Sequence, residues 1–264
     1  MGLIDRLYAF IVLRGWKMWV SYRTQVLLTI INWVIPVFIY FFIGLTLGFR
    51  RVEVISYTSF VVVGIAFQGY FSASVTTLAG RIRNEELIGT LEYLFATPLS
   101  PLTLFLYSSL WGLVVNVIST VLTLLIGIGL GVRFNVNPIS TAVILALYIL
   151  SILGLNLIAG SVVLIVKQGN PIALFTSVAS NLLGGVVFPV TVLPTWLRYI
   201  SYALSITWAL DGLRASMLND APLMSIWPFV WPLAVLTTVY LVIALVLVSY
   251  AFRRVMVEGS VRMY

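Results

Sequence analysis

Apolar blocks alternate with short charged stretches along the whole of this 264-residue chain. A helix needs about 20 consecutive apolar residues to cross the hydrocarbon core of a bilayer. Six blocks reach that length, and none of them contains Asp, Glu, Lys or Arg. The pattern predicts one all-α membrane domain over 1–264 with about six spans, at 24–48, 56–80, 101–131, 139–166, 171–193 and 228–252.

The composition supports a membrane location. Charged residues make up 9% of the chain and hydrophobic residues 61%, whereas soluble domains carry about 25% charged residues. So few charges cannot cover a soluble surface, so the long apolar runs are expected to face lipid. The net charge of +7 is explained by basic loops on the cytoplasmic side, and no nucleic-acid partner is expected.

Residues 1–23 are predicted to form an amphipathic helix that lies on the membrane. Ile4, Tyr8, Ile11 and Met18 recur at helical spacing on one face. Basic side chains occupy the other half of the helix, which is typical of a segment in the interface plane and not of a span.

The charged stretch 81–100 reads RIRNEELIGTLEYLFATPLS. Asn84 is a suitable N-cap for a short helix, and Leu87 and Leu91 would give that helix an apolar face. A cytoplasmic loop has no core for such a face to cover. We therefore expect the face to meet lipid or a protein partner.

The stretch 189–232 is too apolar for a free loop and is rich in Trp and Tyr, which suit the membrane interface. It predicts one or two short helices folded back on the membrane, a re-entrant outer segment between spans five and six. Asp211 and Arg214 are spaced to pair one helical turn apart.

Basic residues set the expected orientation. With the N-terminus inside, ten Lys/Arg residues fall in cytoplasmic segments and five fall outside. Cytoplasmic loops carry the excess of Lys and Arg, so both termini are predicted to be cytoplasmic. Arg50 and Arg51 run against this rule.

Catalytic chemistry is missing from the sequence. The chain has no His and no Cys, and its two lysines, Lys17 and Lys167, do not follow glycine in a phosphate-binding loop. We therefore expect no catalytic residue, no metal site and no cofactor in this chain. A channel, a structural subunit and a transporter subunit driven by a separate motor remain as alternatives, and the apolar-faced cytoplasmic helix fits the last best.

Two motifs resemble those of permeases of type-2 ABC exporters. The stretch 81–100, with its acidic residues, Gly-Thr-Leu-Glu and Thr-Pro-Leu-Ser, is similar to the segment that follows the second span in that family. The stretch GVVFPVTVLPTWLRYISY from Gly185 resembles the family's segment at the outer end of the fifth span, and TWALDGLR at 207–214 is similar to its usual continuation. The run 204–207, LSIT, lacks a proline found in many members, which puts the local backbone geometry in doubt.

The resemblance implies a partner and a set of roles. A cytoplasmic ABC ATPase subunit would bind ATP and Mg²⁺, and a second copy of the chain, or a homologous permease, would complete the pathway in the plasma membrane of a prokaryote. The second and fifth spans would flank that pathway. The residues implied in coupling to the ATPase are Arg81, Arg83, Glu85, Glu86, Gly89, Thr90 and Glu92, and those implied in an outer gate are Phe188, Pro189, Leu193, Pro194 and Trp196.

Membership of the second and fifth spans suggests the pathway residues Phe67, Phe71, Thr176, Ser180 and Asn181. The leading hypothesis is an exporter permease for a lipid-like, amphipathic or drug-like substrate. A glycan or polysaccharide exporter, a non-transporting membrane anchor and a passive channel stay open as alternatives.

Overall fold

A computed structural model describes residues 15–46, 51–88, 101–166 and 180–258. Within these residues every regular element is helical and no strand is present, which confirms the all-α class. The helices are α1 (Met18–Ser21), α2 (Arg23–Thr46), α3 (Arg51–Ile88), α4 (Pro101–Gly129), α5 (Pro138–Val166), α6 (Thr195–Tyr202), α7 (Ser205–Leu218) and α8 (Trp227–Glu258), with a 3₁₀ turn at Val190–Val192.

Five of these helices are long and apolar enough to cross a membrane: α2, α3 over Ile55–Ala73, α4 over Phe105–Gly129, α5, and α8 over Trp227–Arg254. They coincide with five of the six predicted spans. Of the remaining prediction, 171–193, residues 171–179 lie outside the described part of the chain. Helical backbone is present at 180–182, and the chain is irregular from residue 183.

The predicted end of that span at Leu193 is therefore wrong. Gly185 adopts a φ of 71°, a left-handed conformation that glycine reaches without strain and that does not continue a right-handed helix. We call residues 183–194 the outer segment after their predicted location. This segment contains no α-helix, includes the 3₁₀ turn at Val190–Val192 and leads into α6.

Helix α3 differs from its prediction at both ends. It runs without a break from Arg51 to Ile88, so the described backbone contains no separate helix starting at Asn84. Residues 81–88 include neither Gly nor Pro, and most are good helix formers, so nothing in the sequence stops the helix there. Residues 89–100 lie outside the described part of the chain.

Only the end of the predicted interfacial helix can be described, since 1–14 fall outside the described residues. Tyr22, with φ of −100° and ψ of 72°, separates α1 from α2. Trp16 and Trp19 contact Trp111 of α4, with ring centroids 6.5 and 6.2 Å apart. This aromatic cluster attaches the beginning of the described chain to α4.

The core forms around α3 and α5. Helix α8 packs along α5, α4 packs along α3, and α7 rests on α5. Tyr148 of α5 is fully buried and donates its hydroxyl hydrogen bond to the carbonyl of Phe67 over 3.2 Å. By contrast, α2 exposes large apolar side chains around much of its circumference.

Contacts among the described residues mark two opposite ends of the helices. The backbone N–H groups of Asn135 and Asn137 donate to the carbonyls of Met217 and Ser216 at 2.9 and 2.8 Å. These bonds join the 130–137 loop to the end of α7. At the other end, Leu78 and Ile82 share a core cluster with Phe105 of α4. Segments predicted to lie on one side of the membrane therefore meet at one end of the bundle.

Candidate functional site

A cavity of about 440 Å³ lies between α2, α3, α4 and residues 181–187. One part of its wall is apolar or aromatic, and the other part is polar without charge. The apolar side chains are those of Trp33, Pro36, Ile39, Ile65 and Val187, and the polar ones are those of Asn32, Tyr40, Gln68, Ser119, Thr123 and Asn181. Such a wall suits a ligand that combines apolar surface with a few uncharged polar groups.

A hydrogen bond crosses the cavity wall. Nε2 of Gln68 on α3 donates to Oδ1 of Asn181 over 2.5 Å. This bond joins the middle of α3 to the helical residues just before the outer segment. It also holds two amide groups at the cavity surface.

Helices α3 and α4 approach closely behind this wall. A Cβ atom at Gly69 would lie 2.8 Å from Oδ1 of Asn116, so a larger residue here would have to displace the Asn116 side chain. One turn along α4, the hydroxyl of Thr120 donates to the carbonyl of Ala66 over 2.7 Å. The polar side of α4 is thus fixed against α3.

The five residues suggested for the pathway occupy different environments. Asn181 lines the cavity, whereas Phe67 and Phe71 belong to the buried core with Tyr148. Ser180 is fully buried, and Thr176 lies outside the described residues. Because side chains four apart share a helix face, Phe67 and Phe71 point together into the core, and the adjacent Gln68 faces the cavity.

Sequence reasoning passed over Gln68, Ser119 and Thr123. The available signal was the presence of polar side chains inside otherwise apolar spans, since such groups usually face protein or a water-filled cavity. That signal was present in the second and third predicted spans. It does not by itself indicate that the two spans would present these groups to the same cavity.

The residues suggested for the outer gate fall in the outer segment and the first turn of α6. Phe188, Pro189, Leu193 and Pro194 have non-helical backbone, and Trp196 is 66% exposed. Arg198 of α6 donates to the carbonyls of Thr191 and Leu193 at 2.5 and 3.1 Å. The outer segment is therefore held in shape by an arginine of α6, and Val187 of the same segment lines the cavity.

A second arginine, Arg214 of α7, is buried behind the outer segment. The expected pair is present: Nη1 of Arg214 lies 3.5 Å from Oδ1 of Asp211. Burial lowers the pKa of Arg214 to about 10, an effect that the Asp211 carboxylate partly opposes. At neutral pH the guanidinium therefore keeps its positive charge inside the protein.

The residues suggested for coupling lie at or beyond the far end of α3. Its 38 residues give a length of about 57 Å at 1.5 Å per residue, while the hydrocarbon core of a bilayer measures about 30 Å. The backbone of Arg81, Arg83, Glu85 and Glu86 lies in this helix, beyond its apolar part. Gly89, Thr90 and Glu92 fall outside the described residues.

Comparison with known proteins gives two findings. Residues 8–218 match the model of the family described as ABC-2 type transporter. The chain is also 28% identical over 164 residues to the protein named "Probable multidrug ABC transporter permease YbhR" in Escherichia coli K12 and in Escherichia coli O157:H7. That match covers 62% of this chain but 44% of each relative, so it spans less than half of their length.

Proposed function

Because the chain belongs to the family of ABC-2 type transporters, we propose that it forms the membrane pathway of an ATP-driven exporter for lipid-like, amphipathic or drug-like molecules. The family assignment confirms the resemblance seen in the two sequence motifs and makes this chain a multi-pass permease. It also agrees with the prediction that ATP hydrolysis belongs to a separate subunit.

The observation that supports the substrate class best is the cavity between α2, α3, α4 and residues 181–187. Among the described residues that line it, none is Asp, Glu, Lys or Arg. A small inorganic ion would find no opposite charge there, whereas an amphipathic molecule would bury apolar surface and use the amides of Gln68 and Asn181. The name of the Escherichia coli relative, a probable multidrug permease, points in the same direction.

A glycan substrate is the second candidate. Trp33 and Tyr40 stand on the cavity wall, and aromatic rings can stack on the apolar faces of sugars. The same two rings serve equally well against a lipid chain. Transport of a fluorescent phospholipid analogue, compared with that of a lipid-linked oligosaccharide, would separate the two classes.

The proposed partners are a cytoplasmic ABC ATPase and a second permease. The end of α3 extends past its apolar part with two basic residues followed by two acidic residues, which suits a contact with a soluble protein. The exposed apolar surface of α2 suits lipid or a second copy of the chain. ATP and Mg²⁺ would be held by the ATPase.

The first prediction concerns the contact with the ATPase. Replacing Glu92 by Arg reverses the charge in the proposed coupling region, so we expect the ATPase to be lost from the purified complex. The measurement is co-purification in mild detergent: the tagged chain is expressed together with its neighbouring genes, and the proteins that purify with it are identified.

In that experiment the native chain is the reference, and Asp220→Arg makes the same change at the opposite end of the bundle. Loss of the ATPase with Glu92→Arg alone supports the proposal that an ATPase drives this permease and that it binds the region around Glu92. If the native chain purifies without any ATPase, the motor-driven proposal fails, and the channel and anchor alternatives take its place.

The second prediction concerns topology and uses the absence of cysteine from the chain. Met224 is 87% exposed and Tyr22 is 60% exposed, and they lie on opposite predicted sides of the membrane. A membrane-impermeant maleimide added to intact cells is expected to label Met224→Cys at least tenfold more than Tyr22→Cys. Permeabilising the cells should remove the difference, while the reverse labelling pattern would mean that both termini are outside.

A further inference from the structure

Arg214 connects two parts of the protein that are far apart in sequence. Its Nη2 donates to the carbonyls of Gly185 and Val186 at 2.8 and 3.0 Å, and its Nε donates to the carbonyl of Phe60 at 3.2 Å. The first two carbonyls belong to the outer segment, and the third belongs to α3. One guanidinium therefore bridges them.

The charge of Arg214 is compensated inside the protein. The residue is 7% exposed, and a buried cation is costly unless partners surround it. Its Cζ lies 3.4 Å from the centre of the Phe60 ring, a favourable cation–π position. With Asp211 on α7 as a further partner, the guanidinium has contacts with all three elements.

The carbonyls of Gly185 and Val186, which Arg214 binds, receive no hydrogen bond from a continuing helix. Helical backbone stops at residue 182, so the following carbonyls lack the donors that a continuing helix would supply. Irregular backbone is tolerated in a membrane protein only where it is buried in protein or lines a cavity. Arg214 supplies the missing donors at this point.

Gly64 makes the contact between α3 and the outer segment unusually close. A Cβ atom at this position would collide with the carbonyl oxygen of Val186 and lie 2.9 Å from Nη2 of Arg214. Gly64 lies one helical turn after Phe60, on the same face of α3. The two backbones thus touch directly where the arginine joins them.

We propose that Arg214 is a positioning residue that locks the outer segment to α3, so that the two move as one body. Helix α3 runs from this contact to the far end of the bundle, where Arg81 to Glu86 lie. A displacement of that end would therefore reach the outer segment through Phe60, Gly64 and Arg214. This role in transmission rests on the proposed function, whereas the lock itself does not.

Arg198 provides a contrast within the same region. It donates to carbonyls five and seven residues before it, in the outer segment itself. It therefore stiffens the segment without bridging to α3 through those bonds. Arg198→Gln is the matched control for Arg214→Gln.

The experiment measures the distance between α3 and the outer segment. The chain lacks cysteine, so spin labels can be placed at Ser56→Cys on α3 and at Val192→Cys, which is 73% exposed. Labelled chains, diluted with unlabelled chains in lipid nanodiscs, are studied by pulsed electron–electron double resonance, which measures the distance between the two spin labels. We expect Arg214→Gln to broaden the distance distribution, and Arg198→Gln to keep the native width.

A second variant, Gly64→Ala, tests the same contact if Arg214→Gln does not fold. Gly64→Ala keeps the arginine but inserts a carbon that needs about 3.5 Å to its neighbours, so the outer segment should move about 1 Å or more away from α3. Gly80→Ala makes the same change on the same helix, where an added Cβ has no atom of the described residues within 4 Å, and should leave the distance unchanged. A native distance distribution in Gly64→Ala, or in folded Arg214→Gln, would overturn the lock.

The same distance measurement, repeated with nucleotide, tests whether a movement of the far end of α3 reaches the outer segment. With the ATPase and a non-hydrolysable ATP analogue, the native pair should keep its distance because both labels move together, and the Arg214→Gln pair should change it. Failure of the ATPase to bind would refute the proposed function and leave the nucleotide-free result standing. A change of distance in the native pair would refute movement as one body.

Discussion

Replacing Gly154 by leucine is expected to remove most of the folded protein. Gly154 lies on α5, where an added Cβ would be 3.1 Å from the carbonyl carbon of Tyr240 and 3.2 Å from the nitrogen of Leu241. These are backbone atoms of α8 and cannot rotate out of the way. Small residues at such crossings are a main source of helix association in membranes. Leucine should therefore push apart two helices that pack along most of their length, at a cost of about 3 kcal/mol or more.

The matched control is Gly80→Leu. It makes the same substitution inside a helix, and no atom of the described residues lies within 4 Å of the new Cβ. Leucine has a better helix propensity than glycine, by about 0.8 kcal/mol. This variant should therefore fold at least as well as the native chain. Size-exclusion chromatography of detergent extracts after a series of heat steps measures both. Equal melting of the two variants would mean that the contact between α5 and α8 tolerates added volume.

The spans were predictable because the bilayer imposes a simple rule. Apolar length and the position of charges predicted α2, α4 and α5 to within a few residues. The same rule located the span in α3 but not the end of its helix, since it treats the first charge as the end of the element. A helix ends only where its hydrogen bonding is interrupted, and Arg81, Arg83 and Glu85 do not interrupt it.

The break after residue 182 shows the opposite failure. Residues 183–193 are apolar, so hydropathy extends the fifth span through them. The helical backbone nevertheless stops after residue 182, and the left-handed φ of Gly185 does not allow the helix to continue past it. The Gly184–Gly185 pair was visible in the sequence, but glycine is frequent inside membrane helices, so its presence alone did not predict a break.

The cavity was least accessible to prediction because four separate stretches of the chain form it. Membership of a span does not state which face of a helix meets a neighbour, so Phe67 and Phe71 were suggested and the adjacent Gln68 was missed. Pairs of residues close in sequence were easier to predict, since the Asp211–Arg214 salt bridge follows from helical spacing alone. The carbonyls that Arg214 binds, up to 154 residues away, leave no pattern in the sequence.

Replacing Asn181 by tryptophan is expected to block transport while the protein stays folded. Asn181 is exposed on the cavity wall, so an indole ring there would occupy space in a cavity of about 440 Å³ without displacing core side chains. The change also removes the acceptor of the Gln68 hydrogen bond. We expect at least a tenfold fall in the ATP-dependent transport of a lipophilic dye by proteoliposomes that contain the permease and its ATPase.

The neighbouring residue supplies the control for this prediction. Leu182 is 55% exposed and is not among the residues that line the cavity, so Leu182→Trp adds an indole ring one position away from it. If Asn181→Trp alone loses dye transport and both variants retain the ATPase, the cavity lies on the substrate path. If Asn181→Trp transports the dye at the native rate, the cavity is not on that path, and the substrate must pass elsewhere in the assembled transporter. Because α2 is so exposed, the next surface to test would then be the one where α2 meets its neighbour in the membrane.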